Sequence, residues 1–564
     1  NGCALLALVH YRQGRHDLAA ALFERAVARL SQPDAQLLHN WASALESGNH
    51  FEAAEQVYRQ ALQAQPDRAD TLGQLGCMLR NLGRVDEALV LHQRMLALKP
   101  DDAQSVYIYG GSLYQAGKVD ESMAVLQQAL DLNPQLHEAR SNLGICHLLK
   151  GAFAQGWEDF EARWHSPQMK GSWAPFPAPS WAGEHLNGQA FLAWAELGLG
   201  DHLQFVRYLG VLRLRYPQVR LAFWGPKTLF RLIEGFAQHH QIQLVAREEV
   251  PQPAQISGMN FHAPLMGLPR LLGTRLDSIP SEVPAYLSLD AAWVMPWRER
   301  VARLPLNSTG TALNVGLVWS GQREGMIVEK RNIHPRTLEP WLDVPGVRWF
   351  SLQIGAEQQA QIEGTRWQGQ LLDWTSDIKD FADTASLAQA LDLVITVDTS
   401  TAHAASATGS AVWMLSRADG CWRWLQERSD SPWYPKMRIF RQAKPLQWAP
   451  VVQEVAQALR QAVQDKGGGN TQTHTLAKTG RRALPSTGHQ GVLDKTVAQA
   501  KALSEQGLVK RRNGDLEGAV HDYDAAIALA PQAATPRLLK GFALRMQLRL
   551  PEAEACYRQA LALE

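Results

Sequence analysis

The sequence predicts an α plus α/β protein: an N-terminal helical solenoid, two parallel-sheet halves and a short helical tail. Three observations carry this. Glycines recur every 34 residues through residues 1–164. From Gln189 the pattern changes to short apolar runs alternating with amphipathic segments. The spacing of small and aromatic residues seen in the first region then returns after residue 500.

In the first region Gly76, Gly110 and Gly144 are 34 residues apart, as are Gly83, Gly117 and Gly151, and Pro100 and Pro134. Small residues follow at Ala88, Ser122 and Gly156. Earlier units run through Gly14, Ala19, Phe23 and Ala26, then Gly48, Ala54, Tyr58 and Ala61. Small residues let antiparallel helices approach closely, and each Pro closes one unit before the next begins. Period and residue type resemble the tetratricopeptide repeat (TPR). The Tyr and Phe positions are read as inter-helix packing, and the array as a concave surface for a peptide or protein. At the far end, Gly507, Gly514, Ala519, Tyr523, Ala526 and Pro531 form one unit, and Gly541, Ala553, Tyr557 and Ala560 a second. The expected organisation is a solenoid over 1–164, a linker over 165–187, α/β halves over 188–310 and 311–466, a flexible linker over 467–500, and repeats over 501–564. The Gly- and Thr-rich composition from Gly467 to Gly491 supports the second linker.

Composition narrows the function classes. The 564 residues are 46% hydrophobic and 20% charged, enough for several packed cores. The 56 basic and 55 acidic residues leave a net charge of +1, so no overall basic field favours nucleic acid. Five Cys without a C-x-x-C pair argue against a disulfide scaffold or structural zinc. The absence of a long apolar run predicts no membrane span, and with no signal peptide visible the expected location is the cytoplasm. Most of the 19 Trp lie after residue 150.

In the middle region QAFLAWAEL, VRLAFWG and IQLVA read as strands with helices between them. A long irregular stretch with several prolines follows, from Pro251 to about Pro305. A second alternation runs through LNVGLVWSG, VRWFSLQ, WQGQLLDW, LDLVITV and AVWML, and VVQEVAQALRQAV closes it as a helix. Such alternation implies parallel sheets with a cleft at the carboxyl ends of the strands. G-x-S-x-G, H-E-x-x-H and Walker A patterns are absent, so α/β-hydrolase, metalloprotease and P-loop ATPase readings drop.

Several residues stand where chemistry is expected. Gly198, Gly200 and Asp201 lie where the first strand gives way to a helix. Asp201 reads either as a first-turn cap or as a general base. Asp398, Thr399, Ser400, Thr401 and His403 follow the strand LVITV, where hydroxyls and backbone N–H groups at a helix start suit an anion. Lys330 and Arg331 are either a solvated surface cluster or a diphosphate clamp, with Asn332 and His334 as supporting donors. Asp383 or Thr384 is expected to cap the helix SLAQAL. Trp422, Trp424, Trp433 and Tyr434 could stack on a sugar or base, but junction packing is the preferred reading for most of them.

Together ELGLGDHLQFVRYL, VGLVWSG, DFADTASLAQALDLVITVDTSTAHAASATG, WRWLQERSDSPWYP and MRIFRQ resemble bacterial TPR proteins with a glycosyltransferase-like domain. The catalytic part is similar to the ADP-heptose–lipopolysaccharide heptosyltransferase family, of the GT-B fold with two Rossmann-like halves. The resemblance covers about residues 1–460. It implies an inverting, metal-independent glycosyltransferase moving a sugar from a nucleotide-diphospho donor to a hydroxyl, with no cofactor. Residues 188–310 would be the acceptor side and 311–466 the nucleotide-sugar side. Asp201 would be the base, Asp398, Thr399 and His403 would hold the diphosphate, and Lys330 or Arg331 would add charge. His202 departs from the family's small or apolar residue at that position. The architecture is also similar to protein O-GlcNAc transferases, which implies a protein acceptor held by the repeats. Two other readings stand beside this one: a catalytically silent repeat scaffold that binds partner proteins, and an epimerase of nucleotide sugars.

Overall fold

The computed structural model describes residues 2–166, 169, 176, 178–247, 258–281, 285–305, 313–321, 331–468, 503, 506, 510, 515–529, 534–547 and 549–561. The chain divides into two compact units.

The first unit is helical. It holds α1 (Gly2–Arg12), α2 (His16–Val27), α3 (Ala35–Ser47), α4 (Phe51–Ala64), α5 (Ala69–Asn81) and α6 (Val85–Leu98). Gly14 takes positive φ between α1 and α2, a conformation that costs glycine little. Ala19, Phe23 and Ala26, with Ala54, Tyr58 and Ala61, are all buried, as the repeat spacing requires. Among the described residues the same unit also contains the C-terminal helices Leu516–Leu529, Ala534–Met546 and Leu550–Leu561.

The second unit begins with two further helix pairs: α7 (Ala103–Gln115) with α8 (Val119–Leu132), and α9 (His137–Leu149) with α10 (Phe153–Phe160). A mixed α/β core follows, so TPR-like helices flank it on both sides in sequence. Its first sheet has β1 (Ala190–Trp194), β2 (Arg220–Gly225), β3 (Ile242–Ala246) and β4 (Phe261–Pro264), all parallel, in the order β3-β2-β1-β4. Helices α11 (Leu199–Phe205), α12 (Arg207–Arg215), α13 (Phe230–His239), α14 (Leu268–Leu271) and α15 (Ala291–Ala302) accompany it.

The second sheet has β5 (Leu313–Val318), β6 (Val347–Ser351), β7 (Leu371–Asp373), β8 (Leu393–Val397), β9 (Val412–Ser416) and β10 (Met437–Arg441). It too is parallel, in the order β10-β9-β8-β5-β6-β7. Helices α16 (Ala356–Ala360), α17 (Phe381–Ala390), α18 (Ser400–Ala407) and α19 (Ala449–Gly468) complete it. Residues 393–397 are buried throughout, as in a central strand covered on both faces. Leu313, Val315, Leu317, Ile395, Val397, Trp341, Trp349 and Val455 share one core.

Two strands differ from the sequence reading. β4 lies in the proline-rich stretch read as irregular, and β10 alternates arginines with apolar residues in a segment not read as a strand. Both are edge strands, where Pro264 and half-buried Arg438 and Arg441 are tolerated.

Glycine is not interchangeable along the array. A Cβ on Gly144 would lie 2.5 Å from the backbone N of Phe160, whereas one on Gly76 would meet the side chain of His92 at 2.6 Å. Backbone yields less than a ring. Gly144→Ala is therefore expected to destabilise the second unit by about 1–3 kcal/mol, more than Gly76→Ala costs the first. Urea unfolding of the two variants checks the order, and equal costs would contradict it.

Candidate functional site

The expected site residues gather where the two sheets of the second unit meet. Gly198 caps the start of α11, and its N–H donates to Asp201 Oδ2 at 2.8 Å. The other carboxylate oxygen of Asp201 is ion-paired with Arg423. The buried Arg423 also contacts Cys421 Sγ at 3.0 Å and lies 4.3 Å from the Trp422 ring centroid. Asp201 thus takes the capping geometry, with a buried guanidinium as partner. Gly200 has a different task. A Cβ there would sit 2.6 Å from His403, so glycine lets α11 close on α18.

His403 is buried. Its Nδ1 is 2.9 Å from the Tyr434 hydroxyl, and its ring lies 5.2 Å from that of Trp424. Burial lowers its pKa to about 4, with Asp398 and Asp201 opposing the fall. Burial therefore keeps it neutral at physiological pH. Asp398, Thr399, Ser400 and Thr401 are half-buried at the start of α18. Thr399 is the N-cap residue by position but makes no side-chain cap bond; its hydroxyl is 3.2 Å from that of Thr396. Arg331 Nη1 donates to the Asp398 carbonyl at 2.7 Å. Asn332 Oδ1 accepts from Gly321 N at 2.9 Å, and His334 Nδ1 accepts from Arg336 N at 3.2 Å. Lys330 lies outside the described residues. The cap of α17 is Asp380 rather than Asp383 or Thr384: its Oδ1 accepts from Ala382 N and Asp383 N, while Asp383 reaches back to Lys379 N. Both aspartates also hold Arg231 of α13.

Sequence reasoning missed the other charged groups at these junctions. Arg207 of α12 is buried, donates to the Trp433 carbonyl at 2.9 Å, and lies 4.1 Å from the Tyr286 ring. Glu196, just past β1 and only 3% exposed, is paired with Arg163 Nη2 at 3.1 Å and accepts from Met266 N at 3.1 Å. Burial pushes its carboxyl up to about 7, with Arg163 pulling it back. His202 Nε2 is 2.8 Å from the Glu196 carbonyl. The Trp-rich segment packs the junction: Trp422 meets Trp157 of α10 edge-on at 5.2 Å, and Trp433 stacks on Phe153 at 6.0 Å.

The first unit offers a cavity of about 480 Å³. Arg59, Leu62 and Gln63 of α4, Leu75 and Leu79 of α5, and Glu87, Val90 and Leu91 of α6 line it. Val90 is 65% exposed. Arg59 bridges Glu55 at 2.5 Å and Glu87 at 3.3 Å on the rim. Among the described residues no group of three or more His, Cys, Asp or Glu could hold a metal ion, and no helix is long and apolar enough to cross a membrane.

The class defined by fold and comparison is a repeat protein. Tetratricopeptide-repeat descriptions match residues 4–35 and 504–563, a TPR repeat matches 110–151, and the C-terminal tetratricopeptide repeats of YpiA-like proteins match 36–102. In particular, the chain is 27% identical to protein FlbA of Caulobacter vibrioides over 482 residues, 81% of this chain and 77% of FlbA. The solved structure of MamA from residue 41 to its end, from Desulfovibrio magneticus RS-1, is 20% identical, with a TM-score of 0.27 over 31% of this chain and 98% of that chain. YrrB, described as a TPR protein with an unusual peptide-binding site, is 20% identical, with a TM-score of 0.25 over 28% of this chain and 81% of YrrB.

These findings correct the resemblance to heptosyltransferases and O-GlcNAc transferases. They support a TPR protein similar to FlbA, and none of them supports a GT-B domain, an enzyme of glycosyl transfer, or a nucleotide-sugar donor.

Two measurements test the geometry. Asp201→Asn would leave Arg423 buried beside a neutral amide, so a loss of about 3–5 kcal/mol is expected. A mere cap would tolerate Asn, so a near-neutral urea midpoint would contradict the pairing. For His403 the folded pKa lies below the unfolded value. Full stability is present above the unfolded pKa of 6.5 and is lost as pH falls toward about 4. Between pH 7.5 and 5 this amounts to about 2 kcal/mol. His403→Gln should remove that share of the acid sensitivity of the second unit, and an unchanged pH dependence would contradict it.

Proposed function

We propose that this protein is a repeat scaffold for protein–protein interaction, and that the first unit receives the partner. The observation that supports this reading is the cavity between α4, α5 and α6. Leu62, Leu75, Leu79, Val90 and Leu91 give it an apolar floor, and Arg59, Gln63 and Glu87 give it a polar rim. An exposed Val90 beside buried leucines is suited to an apolar side chain of a polypeptide, with the rim fixing its orientation. Repeat arrays present such surfaces because each unit contacts only its neighbours and leaves one face free.

In this reading the α/β core is a rigid body built onto the last repeats. Gly198, Gly200, Asp201 and His403 hold its two sheets together, and Arg331 orders the turn at Asp398.

The test is selection of peptides from a displayed library by the full chain, followed by calorimetry with those selected. Val90→Asp changes an exposed side chain, so stability should stay within about 0.5 kcal/mol, while peptide affinity falls at least about tenfold, or 1.4 kcal/mol. Ser400→Ala, in the other unit, should bind as the unaltered chain does. Undiminished binding by Val90→Asp would remove the cavity from the account.

A further inference from the structure

The start of α5 breaks a rule that two other helices of the array keep. Asp34, Arg68 and Asp102 are spaced by 34 residues, each just before the first helix of a pair. Their backbones do the same work: the carbonyls of Asp34, Arg68 and Asp102 accept from the N–H groups of Leu38, Leu72 and Val106, each at 3.1 Å. Their side chains do not. Asp34 Oδ1 accepts from Leu37 N at 2.7 Å, and Asp102 Oδ2 from Ser105 N at 2.8 Å, which satisfies one free N–H group at each helix start. A guanidinium has only donors, so Arg68 cannot do this for Thr71. Leu136 leaves α9 without a side-chain cap too, so a missing cap alone is not distinctive. The difference at α5 is the charge that stands there.

Arg68 is 7% exposed, and its Nε has no hydrogen-bond partner among the described residues. Its Nη2 donates to Gln36 Oε1 of α3. The same atom lies 3.7 Å from Asp70 Oδ2 on the first turn of α5, too far for a hydrogen bond. Asp70 is held by Lys99 at 3.1 Å and Asp67 by Arg94 at 3.3 Å. Arg68, Arg94 and Lys99 against Asp67 and Asp70 leave one positive charge over. His39 of α3 feels it: burial first and Arg68 next lower its pKa to about 4. A buried charge without a close counter-charge is costly, so this place favours an anion. Gln36 and Asp70, which flank Nη2, are both exposed, so the guanidinium lies just under the surface.

We propose that the start of α5 binds a carboxylate of a polypeptide partner, which takes the place that Asp34 and Asp102 fill in their own units. The carboxylate accepts from Arg68 Nε and from the first-turn N–H groups of α5, and the helix dipole favours it. A surplus of one charge, with Asp67 and Asp70 close by in sequence, suits a monoanion and disfavours a phosphate. The proposal rests on the reading of the first unit as the part that receives a partner. It adds a charged contact to the apolar one at Val90.

The experiment uses the full chain with its arginines isotope-labelled for NMR. The probes are N-acetylalanine, whose carboxylate is a chain end, and N-acetylglutamic acid α-amide, whose carboxylate is a side chain. The Hε–Nε signal of Arg68 is identified by its absence from Arg68→Lys. It should move and saturate with at least one probe, at a concentration at least about tenfold below any effect of chloride. The neutral N-acetylalanine amide should leave it in place, and the probe that saturates first tells a chain end from an acidic side chain. Val90→Asp should titrate as the unaltered chain does, so failure of the cavity and failure of the carboxylate site are read separately. Arg68→Asn restores a capping acceptor and should keep or raise the urea midpoint of the first unit. A guanidinium that merely ties α5 to Gln36 would instead give a lower midpoint and an unmoved signal. An Arg68 signal that neither carboxylate moves, or that chloride moves as readily, would overturn the site whatever the variants do.

Discussion

The second unit depends on an aromatic wedge. Phe153 and Trp157 of α10 enter between Phe205, Trp422 and Trp433, so the last repeat pair is packed into the α/β core rather than hung beside it. Trp157 Nε1 finds the Thr274 carbonyl at 3.2 Å, which satisfies the one polar atom such a ring brings inside. Beside the wedge, Arg163 reaches Glu196 at the end of β1. A buried ion pair adds little net stability, yet losing either partner leaves a buried charge, so the pair fixes one way of joining the two parts. With that junction set, the first sheet is held against α9 and α10, and the second sheet follows through Trp422 and Trp433.

The same economy explains why the expected site looked chemical. A glycine turn, an aspartate at a helix start and a histidine near a second helix start are also what two packed sheets need where they touch. Gly200 admits the His403 ring, Asp201 neutralises Arg423, and Arg207 ties α12 to the Trp433 carbonyl. These groups already have partners within the protein. An exposed apolar side chain beside a cavity is found instead among the repeats, at Val90 and its neighbours.

The fold was legible where the signal is local. A 34-residue period fixes helix pairs, because each small residue marks a close approach within its own unit. The strand runs from QAFLAWAEL to AVWML were legible because buried parallel strands read as unbroken apolar stretches. β4 and β10 were not, since edge strands carry proline and arginine that read as loop. The site was less legible still. That Asp201 would meet Arg423, 222 residues away, is a property of the packed fold and leaves no trace in spacing. The same holds for Arg163 with Glu196, whose separation crosses the linker between helices and sheet. The likeness in motif residues pointed to an enzyme family, and comparison with known proteins corrected it; motif residues at sheet junctions also serve packing.

The central claim is that α7–α10 and the α/β core are one cooperative body. Native-state hydrogen exchange in increasing denaturant tests it most directly. Amides of α9 and α10 should share one opening free energy and one denaturant dependence with those of β1 and β8, and Trp157→Ala should lower both together. If α9 and α10 open well below the sheets, with Trp157→Ala changing the helices alone, the repeats are a separate body and the account fails.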